Sequence, residues 1–122
     1  MKQLLLVFLG GGAGSVLRFL ISKKLNEATI LPLGTLIVNV VGSLAIGYIL
    51  GLAYRHDALS TNSVLLLGVG MCGGFTTFSS FAYENQVFLK TGDFLSLGIY
   101  TVSTLILGFA AVFVGLYLAK GF

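Results

Sequence analysis

Charge is what this 122-residue chain has least of: seven basic and four acidic side chains are all it carries. A water-facing domain takes roughly a quarter of its residues as Asp, Glu, Lys and Arg, so the composition excludes a soluble globular protein. Disorder is excluded as well, because unfolded chains combine high charge with low hydrophobicity, whereas 57% of this chain is hydrophobic. A single cysteine, Cys72, cannot close an intramolecular disulfide, and no Cys/His cluster provides a metal site. The one histidine, His56, stands between Arg55 and Asp57 in the most polar stretch and reads as a solvated loop residue. The net charge of +3 is dispersed and forms no basic stripe, which speaks against nucleic-acid binding. One proline against seventeen glycines completes the picture; packed membrane helices use glycine to bring backbones close.

What is present is long apolar sequence. A membrane-spanning helix needs about 20 mostly apolar residues, and four stretches qualify: Leu4–Ser22, Pro32–Tyr54, Ser63–Leu89 and Phe94–Ala119. The sequence therefore predicts an all-α integral membrane protein of four transmembrane helices, one membrane domain over residues 1–122. Lys2, the Leu-rich run and the small residues Gly10 to Ser15 resemble a cleaved signal peptide. The apolar pattern continues past Arg18 through Phe19, Leu20 and Ile21, so the segment reads as a retained span. The connecting segments are short and hold most of the charge: Lys23, Lys24 and Glu27, then Arg55, His56 and Asp57, then Lys90 and Asp93. Consecutive spans must run antiparallel. Lys2, Arg55 and Lys120 fall on one side of the membrane and Lys23, Lys24 and Lys90 on the other. Such a balance gives the positive-inside rule nothing to act on, which favours insertion in both orientations and pairing of two copies into an antiparallel dimer.

Polar groups inside hydrocarbon are costly and each needs a reason. Thr35, Asn39 and Ser43 are spaced four apart, so they form a stripe on one face of the second span. Asn39 is either interhelical glue or part of a polar pathway; Ser43, with Gly47 and Gly51, reads as a small-residue packing face. The third span holds Gly73-Gly74-Phe75-Thr76-Thr77-Phe78-Ser79-Ser80-Phe81. Gly-Gly followed by two threonines is poor helix-forming sequence. A break there would expose backbone groups, tolerated at membrane depth only where protein buries them or they line a cavity. Freed carbonyls of Gly73 and Thr76 could then coordinate a monovalent cation such as Na+; the alternative is an unbroken helix whose glycines permit close packing. Phe78 and Phe81 share a helix face, with Glu84 following at the same spacing near the membrane edge. Tyr100 and Thr104 lie one turn apart on the fourth span. Arg18 is either a snorkelling side chain or an anion-attracting charge at a vestibule.

This inventory is rich in hydrogen-bond donors and holds one intramembrane acid, Glu84. A proton-coupled exporter needs a carboxylate in the membrane to exchange protons for cations. The small multidrug exporters share the size and dual orientation but carry an acid in their first span, and this first span has none. A structural subunit that only packs with a partner is a third reading. An anion pathway fits better: amides, hydroxyls and the positive edges of aromatic rings can replace the water around a small anion. No Walker motif or catalytic nucleophile points to an enzyme.

The Gly73–Phe81 run, with Asn39 in Gly34-Thr35-Leu36-Ile37-Val38-Asn39-Val40-Val41-Gly42 and the Gly10–Arg18 run, resembles the Fluc (CrcB) family of fluoride channels over essentially the whole chain. The resemblance implies an antiparallel, dual-topology homodimer in the cell membrane, with fluoride pores and a central structural Na+. It implies that Phe78 and Phe81 are the pore aromatics and Asn39 the pore amide, with Thr77, Ser80, Tyr100 and Thr104 supplying hydroxyls. Gly73 and Thr76 would give carbonyls to Na+, and Arg18 and Glu84 would stand at the vestibule. The implied role is passive efflux that keeps cytoplasmic fluoride low. The hydroxyl track on the last span stops at Gly108, where a further hydroxyl would be expected.

Overall fold

The structure, a computed structural model, describes residues 1–55 and 58–120. His56 and Asp57 lie outside the described residues, and so does the loop assignment made for them. Among the described residues all regular structure is helical, and four helical segments are long and apolar enough to cross a membrane: Lys2–Asn26, Leu33–Tyr54, Thr61–Thr91 and Phe94–Leu118. The protein is a multi-pass membrane protein.

Helix α1 (Lys2–Asn26) continues past Ser22, taking Lys23 and Lys24 into its last turn rather than leaving them in a loop. Cations there meet the negative end of the helix dipole. Pro32 precedes α2 (Leu33–Tyr54). The third segment opens with a short turn, α3 (Thr61–Ser63), whose first free amides are relieved by the Ser60 hydroxyl accepting from the Ser63 amide at 3.2 Å. It widens into a π-helix, Val64–Cys72, and returns to α geometry in α4 (Gly73–Phe75). Helix α5 (Phe78–Thr91) carries Lys90 in its last turn and ends on Gly92 in the left-handed region, φ 73°. Asp93 caps α6 (Phe94–Leu118) by accepting from the Ser96 amide at 3.1 Å.

The expected break in the third segment is present, but its agents differ. Gly73 and Gly74 remain helical. The chain opens at Thr76 (φ −83°, ψ 155°) and Thr77 (φ −150°, ψ 122°). β-Branched threonines suit extended backbone, and the Thr77 hydroxyl takes up an amide that the opening releases. Thr76 Oγ1 donates to the Cys72 carbonyl at 2.9 Å, and Thr77 Oγ1 accepts from the Ser80 amide at 3.2 Å to cap α5.

Two glycine seams hold the bundle. Gly10 and Gly14 of α1 lie against the backbone at Leu66 and Met71, while Gly74 lies against Gly11. Gly47 of α2 lies against the backbone of Val112, and Gly115 of α6 against Leu44 and Tyr48. A Cβ at any of these would collide with main chain, so close approach is why glycine stands there. Lipid tails are as apolar as the helices, so such van der Waals contact drives their association. The second seam sets α2 and α6 side by side and parallel, with Thr35, Asn39 and Ser43 level with Tyr100, Thr104 and Gly108.

Candidate functional site

The site is built around the break. In an unbroken helix the Thr77 amide would donate to the Gly73 carbonyl; here it donates to Asn39 Oδ1 at 2.7 Å. Asn39 Nδ2 returns a bond to the Thr77 carbonyl at 3.0 Å. One amide side chain from α2 thus satisfies both halves of the Thr77 residue and keeps one N–H in hand. The Ser80 amide, which would otherwise reach the Thr76 carbonyl, bonds to Thr77 Oγ1 instead. Gly73 and Thr76 are therefore among the carbonyls that lose their helical donors at the break. The Gly74 carbonyl is held from the other side, by Arg18 Nε at 3.0 Å and Ser15 Oγ at 3.4 Å. Sequence pattern alone allows Arg18 two roles, snorkelling or vestibule; the contact adds a third, a clamp on the break.

Beside the break lies a groove of about 500 Å³ lined by Asn39, Gly73, Thr76, Thr77, Phe78, Phe81 and Thr104, among others. Its lining contains no Asp, Glu, Lys or Arg. The rings of Phe78 and Phe81 have centroids 5.8 Å apart and are tilted by 50°, so they are not stacked. Phe81 also meets Tyr100, centroids 5.3 Å apart. Phe78 is 77% exposed, and nothing lies within 4 Å of where a Cβ on Gly73 would stand. The groove is open along that side.

A second, polar cavity of about 440 Å³ lies nearer the other end of α5, lined by Ser15, Arg18, Lys23, Ser80 and Glu84 together with Asn26, Glu27 and Thr35. Glu84 is half-buried and its carboxylate is fully engaged: Thr35 Oγ1 donates to one oxygen at 2.6 Å and Tyr100 OH to the other at 2.5 Å. Tyr100 is 1% exposed and borders neither cavity, so its hydroxyl is committed to Glu84. Thr104 Oγ1 donates back to the Tyr100 carbonyl at 2.7 Å, a common habit of hydroxyls in helices. Ser80 borders the polar cavity and Thr77 the groove. A hydroxyl–hydroxyl bond of 3.3 Å joins the two, so polar side chains connect both spaces.

The structure thus gathers most of the sequence-derived residues into two adjoining spaces. Asn39, Gly73, Thr76, Thr77, Phe78, Phe81 and Thr104 meet in one; Arg18, Ser80 and Glu84 meet in the other. Asn26 escaped the sequence reading. Its Oδ1 accepts from the Thr35 amide at 3.2 Å, one of the donors left free at the start of α2, and its Nδ2 donates to Thr35 Oγ1 at 3.2 Å. With that lone pair occupied, the Thr35 proton points to Glu84. A further bond, Thr101 Oγ1 to Asn85 Oδ1 at 3.1 Å, ties α6 to α5. An uncharged amide near a helix end is too ordinary to mark Asn26 from sequence alone.

Comparison with known proteins shows the family. The family described as CrcB-like protein, Camphor Resistance (CrcB), matches residues 5–116. A protein of Gloeothece citriformis named fluoride-specific ion channel FluC is 48% identical over 122 residues, covering 98% of each chain. Proteins of the same name from Chlorobaculum tepidum and Azobacteroides pseudotrichonymphae are 43% and 40% identical, covering 98% and 100% of this chain and 96% and 99% of their own. With its family match over residues 5–116 and relatives of this identity over nearly the full chain, the chain belongs to the CrcB family.

Proposed function

We propose that the chain is a fluoride channel that lets the anion leave the cell passively. The observation that carries this reading is the groove itself: amide, hydroxyl and ring-edge donors converge on a break at membrane depth with no Asp, Glu, Lys or Arg among the lining residues. Fluoride is small and strongly hydrated, and it sheds water only where donors replace it. The remaining N–H of Asn39 and the ring edges of Phe78 and Phe81 do so without a charged side chain that would trap the ion. Arg18 and Lys23 give an anion two cationic partners in the polar cavity, beside the acids Glu27 and Glu84. Thr35 and Tyr100 hold Glu84 in one position, away from the groove. The Ser80 and Thr77 hydroxyls then provide the passage from cavity to groove. HF enters an acidified cell surface uncharged and dissociates inside, so fluoride leaves down its own gradient.

Assembly as an antiparallel, dual-topology homodimer belongs to the same proposal. Exposed polar backbone does not face lipid, and the groove is open where Gly73 and Phe78 stand; a second copy closes it. The Gly73 and Thr76 carbonyls are hard, uncharged oxygen ligands with diverted helical donors, a donor set suited to Na+. Two such pairs, one from each copy, would hold the ion and link the two chains. The reading is tested by reconstituting the purified protein in liposomes and following fluoride release with an ion-selective electrode. Rapid release is the expected result, and fluoride retained as in protein-free vesicles would defeat it. Removing Na+ during purification is expected to shift the protein from dimer to monomer, and a dimer indifferent to Na+ would remove the ion from the account.

A further inference from the structure

We infer that Ser43 supplies the hydrogen-bond donor next in line after Thr104, so that the polar lining passes from α6 to α2 where α6 runs out of hydroxyls. This inference rests on the fluoride-channel reading above. Because α2 and α6 lie side by side in parallel, Thr35 and Tyr100 form one level, both bonded to Glu84. Asn39 and Thr104 form the next, both lining the groove. One turn further stand Ser43 and Gly108, which line the same groove and its extension toward Phe109 and Val112. A Cβ placed on Gly108 would meet Ser43 Oγ at 3.9 Å, ordinary van der Waals contact. The hydroxyl that α6 lacks at this level is therefore present in nearly the same place, carried by the neighbouring helix.

The state of that hydroxyl distinguishes it from its neighbours. Thr104 spends its proton on the Tyr100 carbonyl, Thr76 on the Cys72 carbonyl and Tyr100 on Glu84. Ser43 makes no hydrogen bond among the described residues: it neither bonds back to the carbonyl one turn earlier nor reaches across to another helix. The small-residue seam begins one turn later, at Gly47, so Ser43 is not part of the packing face that its spacing with Gly47 and Gly51 suggests. A half-exposed serine with a free proton in a donor-poor part of an apolar groove is placed to receive an anion leaving the Asn39 and Phe81 level.

The test compares fluoride release from liposomes for the isosteric pair Ser43→Thr and Ser43→Val, with size-exclusion chromatography reporting assembly. Ser43→Thr keeps the hydroxyl and is expected to stay near wild type. Ser43→Val is expected to slow release about fivefold, the scale of one hydrogen bond, with assembly unchanged. Adding Gly108→Ser to Ser43→Ala returns a hydroxyl to the same level from α6 and is expected to recover most of the lost rate. Equal rates for the Thr and Val variants, loss of assembly in the Val variant alone, or no recovery in the double variant would each overturn the assignment. If the wild type itself releases no fluoride, the channel reading fails rather than the placement of Ser43.

Discussion

Replacing Asn39 with Asp changes one group in the clamp that holds the break. Oδ1 still accepts from the Thr77 amide, now at 2.7 Å. The other position, where Nδ2 donates to the Thr77 carbonyl at 3.0 Å, becomes an oxygen facing an oxygen. The lost bond contributes about 0.5–1.5 kcal/mol net, and a stranded acceptor adds about 1–3 kcal/mol where it is buried. Hydrogen bonds between membrane helices average nearer 0.6 kcal/mol, and this one lies beside an open groove, so about 2 kcal/mol is the expected loss at neutral pH. A neutral carboxyl group, with one O–H and one carbonyl, can reproduce both bonds. The deficit should therefore shrink as acid protonates the introduced Asp. Thermal unfolding of wild type and Asn39→Asp in detergent, followed by circular dichroism across neutral and acidic buffers, measures that gap. Fluoride release at neutral pH should be abolished as well. A variant that melts with the wild type at neutral pH, or a gap that widens on acidification, would refute the clamp.

Phe81→Ile removes a ring edge from the groove and the contact with Tyr100, whose ring centroid is 5.3 Å away. Liposome release should be lost, while chromatography shows intact assembly and stability falls by only about 1 kcal/mol beyond the lost area. Arg18→Met keeps the apolar stem but leaves the Gly74 carbonyl only the 3.4 Å bond from Ser15 Oγ; hydrogen bonds to charged groups contribute about 1.5–3 kcal/mol, and denaturant midpoints should drop accordingly. The Asp93 carboxyl, outside the spans, is held below its ordinary range by hydrogen bonds from the Ser96 hydroxyl and amide. Its contribution is thus complete above the ordinary Asp value and is lost as pH falls through the lower folded value. Asp93→Asn should flatten that acid limb of a melting-temperature profile, with its deficit greatest at neutral pH and vanishing in acid.

The spans were legible in the sequence because hydrophobic length leaves few alternatives at membrane depth. Their ends were less so: Lys23, Lys24 and Lys90 look like loop residues by polarity, yet helix dipoles favour them in final turns. The break was legible as a region, but glycine propensity pointed to Gly73 and Gly74, whereas tertiary contact with Gly11 keeps Gly74 helical and the threonines open the chain. The site residues Asn39, Phe78, Phe81 and Thr104 converge as their helical spacing allows. What no spacing reveals is a bond between distant segments. The grip of Arg18 on Gly74 and the pairing of Asn26 with Thr35 depend on which faces the glycine seams bring together. Ser43 shows the same limit: its spacing with Gly47 and Gly51 suggests packing, and only the register of α2 against α6 turns its hydroxyl into the groove.

The most direct measurement pairs two anions of equal charge on one preparation. Liposomes bearing the purified protein are loaded with fluoride or with chloride and discharged under the same voltage, without a pH gradient. A lining of uncharged donors shaped for a small ion predicts fast fluoride release and chloride held back. Equal passage of both ions, or fluoride that moves only when protons are driven across, would contradict it.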